Sequence, residues 1–251
     1  MTTKKAHEPR RKGLRRPVLA ELREAFHHNR DLDRLRSLWS HAPGPILDLG
    51  TGAGRIALAL AQCGAETVGI NIDAEAIDAA RRRAAERLLS AEFARADART
   101  YCMDRRFSWI IGGSFFEHVE LDEDFARVLS NAREMLAPGG SIVLSLALEA
   151  FHAGHVGDTS SNRRVVSGHV CKRVVEIKDI AADRIVYSIV YCAPALSVEQ
   201  KIENVLRLRS IRSFLDIAHA ARLRVRKSYD GATTGEATSL SSTATFVLVR
   251  S

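Results

Sequence analysis

From residue 45 onward, short runs of β-branched and other apolar residues alternate with longer stretches whose apolar positions recur at helical spacing. This alternation predicts a parallel sheet flanked by helices. Ile46-Leu47 opens a short buried strand, a glycine turn follows, and Ile56, Leu58, Leu60 and Ala61 mark the apolar side of a helix. Thr67 to Ile72 reads as the next strand and Asp73 to Leu89 as a helix rich in Ala, Arg and Glu. Its arginines (Arg81, Arg82, Arg83, Arg87 and, just past its end, Arg95) accompany Asp78 and Glu86, which predicts a solvated face. Ala91 to Ala96 and Phe107 to Ile111 supply two more strands. Leu121 to Leu136 is a helix stopped by Pro138-Gly139-Gly140, and Ser141 to Leu148 is a fifth, apolar strand.

After residue 150 the pattern changes. Phe151 to His169 is rich in Gly, Ser, Asn and His and reads as a long lid or binding loop. Val170 to Lys178 and Ile185 to Cys192 alternate as strands and, joined at Ala181-Ala182-Asp183-Arg184, form an antiparallel hairpin on which Tyr187 and Tyr191 share a face. Packing is the default for these tyrosines. Solvent is the default for Arg163, Arg164 and Arg173, although together they suit an acidic substrate. Lys201 to Leu208 fits a strand or a helix. Ser210 suits the N-cap of a helix through Phe214, Leu215 and Ala218, and Leu223 to Tyr229 and Ala244 to Val249 close the chain as strands.

Composition narrows the class. With 46% hydrophobic and 27% charged residues in 251, the chain has the balance of a folded protein. Its longest nearly unbroken apolar run, Ile142 to Ala147, falls far short of the roughly 20 residues of a membrane span. The formal charge of +7 points to nucleic acid until it is divided along the chain. Residues 1–16 hold seven Lys or Arg against Glu8, which leaves 30 bases and 29 acids for the remainder. The stretch 1–17 is therefore expected to be a disordered basic tail beside a nearly neutral body. Pro17-Val18-Leu19-Ala20 is followed at once by Glu21, Arg23 and Glu24, which argues against a secretory signal, and the absence of Ser argues against a mitochondrial one. Cys63, Cys102, Cys171 and Cys192 show no C-x-x-C spacing, so neither zinc nor a disulfide framework is expected, and a cytoplasmic setting is.

The most informative stretch is Leu47-Asp48-Leu49-Gly50-Thr51-Gly52-Ala53-Gly54-Arg55. Glycines at three alternate positions allow a tight turn and close approach of a ligand to the exposed N–H groups of a helix start. A dinucleotide loop wants its third glycine where Arg55 stands, and no Lys-Ser or Lys-Thr follows as in a phosphate loop. Here the sequence resembles the class I S-adenosylmethionine-dependent methyltransferases. Asp48 to Gly54 is similar to that family's first motif, Val68 to Asp73 to its second strand, Ala96-Asp97-Ala98 to its third, Phe107 to Val119 to its fourth, and Leu136 to Gly140 to the turn before its fifth. About 105 residues, roughly 45 to 150, carry the likeness.

The resemblance implies a Rossmann-like, doubly wound α/β sheet of seven strands, mostly parallel with the last antiparallel, carrying an antiparallel β insertion as lid. It divides the chain into a core at 18–150 and 210–251 and a substrate-covering insertion at 151–209. It implies that Asp48, Gly50, Thr51, Gly52 and Gly54 wrap the methionine part of S-adenosylmethionine, that Asp97 accepts from the adenine amino group between Ala98 and Ile72, and that Gly113 nears the sulfonium. The family usually has an acid for the ribose hydroxyls where this chain has Asn71, with Asp73 as a substitute if the strand runs that far. The last helix ends in Ala220-Ala221-Arg222-Leu223 instead of the usual Ala-Gly-Phe.

His118, His152 and His155 are the candidate bases, because imidazole titrates near neutrality; Glu117 is expected to orient a neighbour or cap a helix. Gly112-Gly113-Ser114-Phe115 lacks the Asn/Asp-Pro-Pro-aromatic run of the enzymes that methylate nucleobase amines and glutamine. No nucleophilic Cys stands there for cytosine C5, and no carboxylate cluster for a metal. These readings favour a small-molecule N, O or C acceptor. The alternatives are an RNA methyltransferase gripping phosphates with the tail, disfavoured because the tail has no aromatic to stack bases, and a non-catalytic cofactor-binding subunit. Oligomeric state is not legible.

Overall fold

A computed structural model describes residues 22, 23, 25, 26, 30–39, 44–151, 154–166, 168–231 and 235–251. The expected tail at 1–17 lies outside them. Eleven strands are described: β1 (Ile46–Leu49), β2 (Thr67–Asn71), β3 (Ala91–Arg95), β4 (Phe107–Gly112), β5 (Leu136–Ala147), β6 (Thr159–Val166), β7 (His169–Ala181), β8 (Arg184–Ala193), β9 (Val198–Arg207), β10 (Leu223–Asp230) and β11 (Thr243–Arg250). Seven form one sheet in the order β10-β11-β5-β4-β1-β2-β3, and the other four a second sheet in the order β6-β7-β8-β9. In the first sheet only β11 runs against its neighbours. That is the expected doubly wound sheet with one antiparallel strand, and the four-stranded antiparallel sheet is the expected insertion.

The central strands are buried except at Asn71 and Ser108, because helices cover both faces. Helices α1 (Arg30–Trp39) and α2 (Arg55–Ala61) pack on one face over Ile46, Trp109, Ile111 and Val143. Helices α4 (Asp122–Met135) and α5 (Ile211–Ala220) cover the other over Leu47, Ile110, Ile142 and Phe246. A row of rings crosses that second layer: Phe116 meets Phe125 edge-on at 4.7 Å between centroids, Phe125 meets Phe214 at 6.2 Å, and Phe214 meets Phe246 at 4.4 Å. The remaining helix, α3 (Ala74–Glu86), is capped by the Asp73 carboxylate, which accepts from the Glu75 N–H.

The structure corrects several sequence expectations. β5 begins at Leu136, directly after α4, and a register shift between Phe107 and Trp109 of β4 accommodates the Pro-Gly-Gly residues. The stretch expected to be loop contains β6, paired with β7 from Thr159 opposite Glu176 to Val166 opposite His169. Nearly all of β6 is exposed, so no apolar alternation marked it. Lys201 to Leu208, whose sequence fits a strand or a helix, is strand as far as Arg207. Arg83, expected on a solvated face, is buried, whereas Arg81 and Arg82 are exposed. At the end of α5, Arg222 takes φ 56°, the left-handed position that a glycine normally fills after a helix.

The chain leaves the first sheet after β5 and returns before α5 through one narrow place. There Leu148 and Arg209 form a parallel bridge, and the Glu149 N–H donates to the Arg209 carbonyl at 3.3 Å. Ala147, Ile177, Ile185, Leu206 and Leu208 make the apolar seam between the sheets.

Candidate active site

The carboxyl ends of β1, β2 and β4 face the inner side of the second sheet across a cavity of about 740 Å³. An adjoining lobe of about 660 Å³ runs past the ends of β2 and β3, and Gly50, Asn71, Phe115 and His118 border both. Ligand crevices at the carboxyl ends of parallel strands are the rule for open α/β sheets.

The glycine loop forms the floor. Gly50, Gly52 and Gly54 have φ of 67°, 57° and 82°, all left-handed, which is why three glycines stand there. A Cβ on Gly50 would strike the Phe115 ring at 2.5 Å, whereas one on Gly52 would meet nothing within 4 Å. Gly52 thus leaves open a space that any side chain would fill. The loop is braced from three sides. The Thr51 N–H donates to the Ile70 carbonyl at 2.9 Å, the Thr51 hydroxyl to buried Asp48 at 2.7 Å, and Arg83 Nη1 to the Ala53 carbonyl at 2.8 Å. Sequence reasoning missed Arg83; its one signal is a place on the inner side of α3 beside Ala79, Ala80 and Ala84.

Asp97, Ala98 and Ile72 border the second lobe, with Ala98 buried and Ile72 exposed. Arg99 holds both Asp97 oxygens and also reaches Asp124 at 3.0 Å. The Arg99 guanidinium, through its hydrogen bonds, keeps the Asp97 carboxyl below its ordinary value. β2 ends at Asn71, so Asp73 does not continue the strand as a substitute acid. Instead the Asp73 N–H donates to Asn71 Oδ1 at 2.8 Å, leaving the Asn71 amide nitrogen to donate toward the cavity.

Ser114, Glu117 and His118 enter from the turn after β4, together with Gly113. His118 Nδ1 lies 3.0 Å from the Val205 carbonyl of β9, and since a carbonyl only accepts, Nδ1 is the donor in this contact and Nε2 is the ring nitrogen it leaves uninvolved. His155 borders neither lobe; it is 84% exposed, beside Asp158 at 3.5 Å. His152 lies outside the described residues. The turn is anchored by Arg209, also missed from sequence. It is 2% exposed, donates to Asp122 at 3.0 Å and to the Val119 carbonyl at 2.7 Å, and stacks over Phe125.

The roof is the inner face of the second sheet. Tyr187, Ile189 and Tyr191 of β8 alternate inward and face Asn204, Ile202 and Gln200 of β9. Burial, reinforced by the Glu117 charge, pushes the Tyr187 phenol up to about 12. Arg173 lines the cavity and is not a solvent residue; Arg163 and Arg164 are exposed. Arg23 and Phe26 close one side, with Phe26 packed against Tyr191 at 6.1 Å. Among the described residues no three His, Cys, Asp or Glu side chains converge as a metal site, the four cysteines are unpaired, and no helix is long and apolar enough to cross a membrane.

Comparison with known proteins finds likenesses to this arrangement. Residues 46–140 match the methyltransferase domain family. A ubiquinone biosynthesis O-methyltransferase of Coxiella burnetii is 30% identical over 109 residues, 43% of this chain and 45% of that protein. A demethylmenaquinone methyltransferase of Thermus thermophilus is 36% identical over 106 residues, 41% and 47% of the two chains. This chain thus spans under half the length of these curated relatives. In three dimensions the sugar N-methyltransferase KedS8 of Streptoalloteichus matches with a TM-score of 0.72 over 100% of this chain and 98% of that one, at 18% identity, a likeness of fold. Residues 46–140, with their glycine loop at the carboxyl edge of a seven-stranded sheet, are thus similar to a methyltransferase domain, a likeness that covers under half of the chain.

Proposed function

We propose that this chain is an enzyme that transfers a methyl group from S-adenosylmethionine to an N, O or C nucleophile of a small-molecule acceptor held under the second sheet. The observation that carries the reading is the open, left-handed Gly52 position beneath a roofed cavity. When bound, S-adenosylmethionine supplies an activated methyl group on a sulfonium. Asp48, Gly50, Thr51, Gly52 and Gly54 would hold its methionine end, Asn71 would donate to a ribose hydroxyl, and Asp97 would accept from the adenine amino group between Ala98 and Ile72, with Gly113 near the sulfonium. The fit is good at the loop, where space stands ready. It is looser at the ribose, where an amide replaces a carboxylate.

The protein's own contribution is alignment, since a bimolecular displacement gains most from holding its partners in contact geometry. The His118 ring, oriented by the Val205 carbonyl, offers Nε2 to take a proton from an acceptor that carries one. Tyr187 stays a neutral donor through the working pH range and so serves to position the acceptor. Residues 18–150 and 210–251 form the cofactor-binding core in this reading and 151–209 the covering insertion. The enclosed roof supports a small acceptor over an RNA strand.

Calorimetry of the full chain with S-adenosylmethionine tests the class. Binding by the protein and none by Gly52→Arg is expected; no binding by either overturns it. A screen of metabolite fractions with methyl-labelled cofactor then identifies the acceptor. Transfer to RNA instead, with a steep salt dependence that disappears on removing residues 1–16, would replace the small-molecule reading.

A further inference from the structure

The inner face of the second sheet is ordered in rows. Strand register places Arg173 opposite Tyr191 and Tyr191 opposite Gln200; the next inward row is Val175, Ile189 and Ile202, and the next Ile177, Tyr187 and Asn204. One row is cationic and polar, the middle one apolar, and the last polar beside the Glu117 and His118 turn.

The cationic row has a deficit. It contains no carboxylate, and Arg173 Nε is buried without a hydrogen-bond partner among the described residues. Arg23 borders the same end of the cavity; burial raises the Tyr191 phenol, while the charges of Arg173 and Arg23 and a hydrogen bond from Arg173 pull it back, so the unbonded position of Arg173 is Nε alone. A buried guanidinium donor left unbonded costs free energy unless something else fills it. A planar fork of N–H donors at a cavity wall matches the geometry of a carboxylate or phosphate.

Building on the methyltransferase reading, we propose that the acceptor is an anion whose carboxylate or phosphate seats on Arg173, with Arg23 and Tyr191 beside it, while its apolar middle lies on Ile189 and Ile202. Four residues of strand separate Tyr191 from Tyr187, about 13 Å. The anionic group thus sits at the Arg23 end of the cavity, across the apolar row from the Glu117 and His118 turn, which suits an elongated acceptor.

The test uses the full chain labelled with ¹⁵N at arginine and titrated with benzoate, phenyl phosphate and uncharged benzyl alcohol. The Arg173 Nε–H resonance, assigned from its loss in Arg173→Lys, is expected to move saturably with one or both anions and to stay still with the alcohol. Whichever anion binds more tightly names the group. Arg173→Gln is expected to weaken that anion roughly tenfold or more, with Arg173→Lys retaining part of the affinity and Arg23→Gln losing less. Calorimetry with S-adenosylmethionine on the same samples separates the two claims. Cofactor binding with no anion response overturns the subsite and leaves the proposed function intact. An anion response without cofactor binding keeps the subsite and overturns the function, and failure of both overturns both.

Discussion

The two sheets use the same alternation of side chains to opposite ends. In the seven-stranded sheet both faces are covered, the central strands are almost wholly buried, and the strand ends present to the cavity a glycine loop with Asp48 and Asn71. In the four-stranded sheet one face looks into the cavity and the β6 edge lies open to solvent, so the cavity is lined there by side chains in rows. Backbone recognition tolerates sequence change as long as the turns survive, whereas a row of side chains alters its ligand with each substitution. The first sheet thus presents mainly a loop geometry to the cavity, and the second a pattern of side chains.

The strongest way to break this contrast is to strike the core of the first sheet. Phe214→Ala, at the centre of the row of rings, is expected to cost about 3–5 kcal/mol of stability in urea unfolding. A loss below about 1 kcal/mol would mean that the two sheets are not so differently packed. Next comes Gly52→Val, which places a branched side chain at a left-handed φ in open space. It should lower S-adenosylmethionine affinity at least about 100-fold, about 2.7 kcal/mol, while the strained backbone costs about 1–3 kcal/mol of stability in urea unfolding.

A smaller effect sharpens the cofactor side. Asp97→Asn should weaken S-adenosylmethionine binding about tenfold, the scale of one charge-assisted hydrogen bond. Because Arg99 holds the folded pKa of Asp97 below the ordinary 3.8, the ionised carboxylate persists as pH falls through 4 and is lost only further into acid. Binding should follow that course, and Arg99→Ala should move the acid limb upward, a shift that calorimetry across pH reads directly. The smallest effect is a gain. Arg222→Gly removes a side chain from a left-handed position and should stabilise the protein by about 0.5–1 kcal/mol with no change in cofactor affinity.

Much of the first sheet is legible in the sequence because its strands are buried on both faces, its helices keep a 3.6-residue apolar period, and glycine is the residue that its loop geometry accepts. The second sheet is less so. β6 carries Ser161, Asn162, Arg163 and Arg164 on an exposed edge, where no burial imposes a pattern. Arg83 reads as a surface charge and Arg209 carries no signal, because a sequence window does not reveal the distant carbonyls, Ala53 and Val119, that hold them inside. Arg173 belongs with them: its place in the cavity follows from a strand register set across four strands, not from its own neighbours in sequence.

The bridge between Leu148 and Arg209 has an evolutionary consequence. The whole roof departs and returns through two adjacent residues, so a gene could exchange everything between them for another segment with matching ends while the cofactor machinery stayed as it was. Arg209 fixes the terms of such an exchange. Its guanidinium reaches back to Asp122 and the Val119 carbonyl, so a replacement must keep an arginine at its last residue or leave the turn that bears His118 without its anchor.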